Sequence, residues 1–66
     1  MPTWNVNGFK ITEYQVDHLP RHVHVRKDGA LIGKYDLQND TWLEGPYHAG
    51  DQATKAVKKW REETGR

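Results

Sequence analysis

Three of the four histidines of this chain fall within seven positions, in Asp17-His18-Leu19-Pro20-Arg21-His22-Val23-His24-Val25-Arg26. From Arg21 onward the segment alternates polar and apolar residues. Successive side chains of a β-strand point to opposite faces. His22, His24 and Arg26 are therefore expected on one face, and Val23 and Val25 on the other. The valines read as core, which leaves the imidazoles and the guanidinium where a ligand could meet them.

Three kinds of chemistry suit that row. Two imidazoles at i, i+2 can face one metal ion, with His18, His48 or Asp17 as a third ligand, since catalytic zinc commonly takes three protein ligands and a water. Only His22 and His24 are placed by their spacing, so no metal or other cofactor is expected. An imidazole that titrates near neutrality can also act as general acid or base beside a cation that steadies a phosphate. His22 or His24 next to Arg26 would serve an RNA-cleaving enzyme in that way. The third possibility is recognition: Asp17, His18, Arg21, His22, His24, Arg26, Lys27 and Lys34 would form a surface for phosphates or an acidic partner, with Tyr35 as a stacking platform. The bland alternative is an ordinary amphipathic strand, with His18 hydrogen-bonded within its loop.

The elements that must hold this row are short. Asn7-Gly8 and Asp28-Gly29 are type I′ hairpin dipeptides, and Gln38-Asn39-Asp40 makes a further turn. Strands are expected over 3–6, 9–16, 21–27, 31–37 and 41–44, with Pro20 breaking the chain before the histidine strand. Ala53, Ala56, Val57 and Trp60 then fall at i, i+3, i+4 and i+7, one stripe of a helix over 51–64. Asp51 is the expected N-cap and Gly65 the C-terminal stop. The fold class is α+β: an antiparallel meander of four or five strands with one amphipathic helix packed on one face.

Composition narrows the functions. Sixty-six residues make a single domain, 1–66, with no cysteine and a formal charge of +1. A chain of this length buries only about 60% of its unfolded surface, so its seven aromatic residues must supply much of the core. Disulfides and Cys-type zinc sites are excluded. The net charge does not itself announce nucleic acid. Lys55, Lys58, Lys59 and Arg61 oppose Trp60 on the helix and are offset by Glu62 and Glu63, as on a solvated face. No run approaches the ~20 apolar residues of a membrane span, and no signal-peptide pattern is present. The chain reads as cytoplasmic, without membrane contact.

Asp17-His18-Leu19-Pro20 followed by His22-Val23-His24-Val25 resembles the Asp-His-x-Pro-Pro-His-aromatic-His-Val motif of a small bacterial family, Domain of Unknown Function 4160. Tyr35-Asp36-Leu37, Leu43-Glu44-Gly45 and Ala56-Val57-Lys58-Lys59-Trp60 follow in that family's order, so the resemblance spans roughly 9–63. Arg21 stands where a second proline is usual, and Val23 where an aromatic is common. The resemblance implies a compact β-rich domain with a C-terminal helix, often encoded in toxin–antitoxin-like gene pairs, and no established reaction. The motif positions here are Asp17, His18, Pro20, His22 and His24.

The expectation is a small prokaryotic accessory protein that binds nucleic acid or a cognate protein, in a toxin–antitoxin-like pair. The alternatives are an RNA-cleaving toxin using His22 or His24, and a structural subunit that pairs through an exposed β-edge.

Overall fold

The two hairpin dipeptides set the sheet. Asn7 and Gly8 have φ of 52° and 82°, and Asp28 and Gly29 have 53° and 81°. Those are the paired positive values a type I′ turn requires, and Asn, Asp and Gly tolerate them best. In this computed structural model, which describes residues 2–13 and 21–66, they join β1 (Thr3–Val6) to β2 (Phe9–Glu13) and β3 (His22–Lys27) to β4 (Ala30–Asp36). A turn ending at Asp40 (φ 54°) leads into β5 (Thr41–Glu44). The sheet has five antiparallel strands in the order β1-β2-β3-β4-β5. The second strand is seen to Glu13; residues 14–16 of the expected span lie outside the described residues.

Helix α1 (Gly50–Thr64) packs on one face, against β1, β2 and β4. The apolar stripe read from the sequence is the stripe that is buried: Ala53, Ala56, Val57 and Trp60. It meets Phe9, Ile11, Val23, Val25, Ile32, Tyr35 and Leu37, with Trp4, Val6 and Trp42 packed around them. Trp60 is the anchor, with its ring centroid 5.2 Å from that of Trp4. Trp42 closes the other end: its indole N–H donates to Thr54 Oγ1 at 3.0 Å, and Thr54 Oγ1 donates to the Gly50 carbonyl at 2.8 Å.

The helix ends as expected and begins otherwise. Gly65 (φ 72°) is the C-cap, its N–H donating to Arg61 O. The N-cap is Ala49 in the left-handed region, without a side-chain cap, and Asp51 falls in the first turn. The incoming loop decides this. The Tyr47 N–H is fastened to Ile32 O at 2.9 Å, and Pro46 lies so close to Gly50 that a Cβ there would stand 2.8 Å from it. The helix therefore starts before Asp51, whose charge still complements the positive end of the helix.

Candidate functional site

Because paired residues of an antiparallel ladder share a face, the registers give the side opposite the helix row by row. One row crosses all five strands: Thr3, Thr12, His24, Lys34 and Glu44. Beside it run Asn5, Lys10, Arg26 and Leu31 on one flank, and His22, Asp36 and Thr41 on the other. No element of the described residues covers this face. His22, His24, Arg26 and Lys34 are thus brought together, as the alternation of β3 required.

Lys34 arrives by a device the sequence did not show. Between Val25 and Arg26 the β3–β4 register shifts, so that Val25 opposes Gly33 while Arg26 opposes Leu31. Ile32 is the extra residue of a bulge, which reverses the inside–outside parity downstream. Lys34 is turned to the open face and Tyr35 to the core. Gly33 fits there because a Cβ would collide with the Glu44 carbonyl and the Trp42 ring.

The stacking role expected of Tyr35 is therefore overturned: it is 1% exposed. Its hydroxyl donates to Asp40 Oδ1 at 2.6 Å, and its ring meets Trp42 edge-on at 5.1 Å. Lys27 is a second correction. It alternates with Val23 and Val25, and its Nζ lies 5.0 Å above the Phe9 ring, on the helix side. Arg21 likewise stands apart, with its guanidinium 3.9 Å from Glu13 Oε1. Glu13 belongs to the helix-side row with Val23 and Tyr35, and Arg66 grips it with two 2.9 Å hydrogen bonds. Asp17, His18 and Pro20 lie outside the described residues.

Electrostatics on the open face are lopsided. The imidazoles of His22 and His24 stack with centroids 5.6 Å apart and planes 22° from parallel. Partial burial holds the His24 pKa below its ordinary value, and Lys34, His22 and Arg26 push it further down against the opposing pull of Glu44. Lys10 and Arg26 face each other across β2 and β3. Asp36, although in the same field, is 1% exposed and committed to the following turn. Its carboxylate accepts from Asn39 Nδ2 at 2.7 Å, Gln38 N at 2.8 Å and Asn39 N at 3.2 Å. The Asn39 side chain foremost holds the Asp36 carboxyl below its ordinary pKa, with the backbone donors and His22 adding to it. Tyr47 is 59% exposed, and a hydrogen bond from its hydroxyl to Glu44 raises the phenol.

Among the described residues no three His, Asp or Glu side chains converge to hold a metal ion. Of the residues considered as ligands, His22 and His24 lie on β3, His48 lies in the exposed loop before α1, and Asp17 and His18 lie outside the described residues. No helix of the described residues is long and apolar enough to cross a membrane.

The residues missed by the sequence reading are Lys10, Thr12 and Glu44. Phe9-Lys10-Ile11-Thr12 alternates as clearly as the histidine strand does. A meander places its polar face beside His24 and Arg26, so that signal was available. Glu44 was not recoverable, because a second register shift at Lys34/Tyr35 sets it opposite Lys34.

Comparison with protein-family models, curated proteins and solved structures finds no significant match to this chain.

Proposed function

We propose that this chain is a small nucleic-acid-binding module that seats the phosphate backbone on the open face of its sheet. The observation that carries this reading is the concentration of Lys10, His22, His24, Arg26 and Lys34 on three adjacent strands, opposite the helix. Strands lie about 4.8 Å apart, so these cations form a narrow basic band. Like charges placed directly across a ladder, as Lys10 and Arg26 are, cost stability. A phosphate between them turns that cost into attraction. The aromatic residues Trp4, Phe9, Tyr35, Trp42 and Trp60 all pack on the helix side. Among the described residues the three strands of the band therefore offer charge rather than a base-stacking platform of the kind single-strand binders use, the exposed Tyr47 standing beside Glu44 at the β5 edge. The motif resemblance supplies the setting, a prokaryotic accessory protein in a toxin–antitoxin-like pair.

The test is an amide NMR titration of labelled protein with a uridine dodecamer and with a short DNA duplex, at two salt concentrations. Shifts should concentrate at Lys10, Thr12, His22, His24, Arg26 and Lys34 and shrink with salt. Three permanent cations predict a log–log salt slope of about −2 for the single strand. Shifts confined to the helix face, or none with either probe, overturn the reading and favour a cognate protein partner.

A further inference from the structure

One aromatic side chain of the described residues stays out of the core. Trp4, Phe9, Tyr35, Trp42 and Trp60 pack on the helix side, whereas Tyr47 is 59% exposed. Its position is nevertheless fixed from several directions. The Tyr47 N–H donates to the Ile32 carbonyl at 2.9 Å, which fastens its backbone to β4. Its hydroxyl donates to Glu44, the residue that faces Lys34 across β4 and β5. Pro46 packs so close to Gly50 that a Cβ there would stand 2.8 Å from the proline ring. The Tyr47 ring is thus tied at its backbone and at its hydroxyl, beside the row that carries Lys34, with most of its surface in solvent. An aromatic side chain ordinarily repays its ordering by burial. Here the fold orders the ring and leaves it open.

Resting on the nucleic-acid reading above, we propose that Tyr47 stacks on one unpaired base of a single strand whose phosphates lie along the basic band. Lys34 is one strand away from β5, a spacing of about 4.8 Å. A phosphate held by its ammonium leaves the attached base within reach of the ring. Glu44 lies between the two: its charge keeps phosphates toward Lys34, and its hydrogen bond keeps the ring in place. A base inside a duplex is already stacked on both sides, whereas an unpaired base has a face to give. Such stacking tolerates any sequence, because every base has a π-face, and is worth about tenfold in affinity per base. The site therefore adds a contact specific to single strands at the edge of a surface that otherwise offers charge.

The test uses the full chain and three labelled probes, followed by fluorescence anisotropy. They are a thymidine dodecamer, an abasic strand of the same length and charge, and a DNA duplex. The parent should bind the thymidine dodecamer about tenfold tighter than the abasic strand. Tyr47→Ala should bind those two strands alike and keep the parent's affinity for the abasic strand and for the duplex. Tyr47→Phe keeps the ring and should retain most of the preference for the strand with bases. If the parent binds the two strands alike, or the preference persists in Tyr47→Ala, the proposal falls and phosphate binding stands. That result would leave Tyr47 and the exposed Leu43 of β5 to a protein contact. If none of the three probes binds the parent, the underlying reading falls and the proposal with it.

Discussion

The two faces of this sheet are built from the same strands and do opposite work. On the helix side, rows such as Trp4–Ile11–Val25–Gly33 and Glu13–Val23–Tyr35–Trp42 are almost wholly apolar and closed by Trp60. On the other side, Thr3–Thr12–His24–Lys34–Glu44 and Asn5–Lys10–Arg26–Leu31 place cations next to one another, and no helix or strand of the described residues packs over them. A short chain has few large side chains, and this one commits five aromatic residues to the covered face. Stability is concentrated there. The open face sets like charges such as Lys10 and Arg26 directly across a ladder, which costs stability.

Substitutions on the covered face should therefore act on stability first, and Trp60→Ala should be the largest. Truncating a buried tryptophan typically costs about 3–5 kcal/mol, against a total of roughly 3–10 kcal/mol for a domain of this length. The expected result is an unfolded or barely folded chain by circular dichroism. Trp60→Phe keeps most of the packing. It also deletes an indole N–H that is buried without a hydrogen-bond partner among the described residues. Its midpoint in urea should lie far closer to the parent. A Trp60→Ala chain as stable as the parent would show that the two faces are not divided in this way.

Asp36 and Tyr35, at the end of β4, point to opposite faces and both hold the following turn by hydrogen bonds, and each gives stability a pH signature. Asp36→Ala strands three donors, from Gln38 and Asn39, and should rank next in cost. Because the Asp36 carboxyl is held below its ordinary pKa, its contribution is present above the ordinary carboxylate range and disappears as the pH falls below it. Burial, and then the hydrogen bond to Asp40, push the Tyr35 phenol up to about 12. The fold favours the neutral phenol, so that contribution holds below pH 10 and is lost as the pH rises toward 12. Tyr35→Phe should cost about 1 kcal/mol at pH 7, with a smaller deficit at pH 11, measured by urea unfolding at the two pH values.

How far the division could be read in advance follows from the same residues. Asn7-Gly8, Asp28-Gly29 and the stripe Ala53–Trp60 announced the hairpins and the helix, because turn chemistry and periodicity are local. Within β3 the parity was also local, and it places Lys27 with the valines. Grouping Lys27 with the histidines followed charge where alternation should have ruled. Tyr35 and Lys34 are different. Counted from Leu31, simple alternation would set Tyr35 on the open face and Lys34 inside. Only the bulge at Ile32 reverses them, and a register shift depends on two strands at once. The displaced N-cap is of the same kind, being fixed by Pro46 and Tyr47 packing against distant backbone.

The finest test of the comparison uses the smallest effect. Lys10 is exposed and stands directly across from Arg26. Lys10→Gln removes one of two like charges and keeps a polar chain of similar length, so the free protein should become more stable by roughly 0.2–0.5 kcal/mol. If the proposed function holds, the same change removes a phosphate partner, so nucleic-acid affinity should fall and the salt slope should shrink by about 0.7 for a single strand. Opposite signs from one substitution, one in unfolding midpoint and one in binding, are what a surface held at a cost for its ligand must give. If Lys10→Gln destabilises the fold, the pair is not repulsive in the native protein. If it stabilises the fold and leaves nucleic-acid affinity unchanged, the repulsion is real but phosphate does not relieve it. A gain in stability with a loss in binding ties the open face to its function through a residue that contributes nothing to the core.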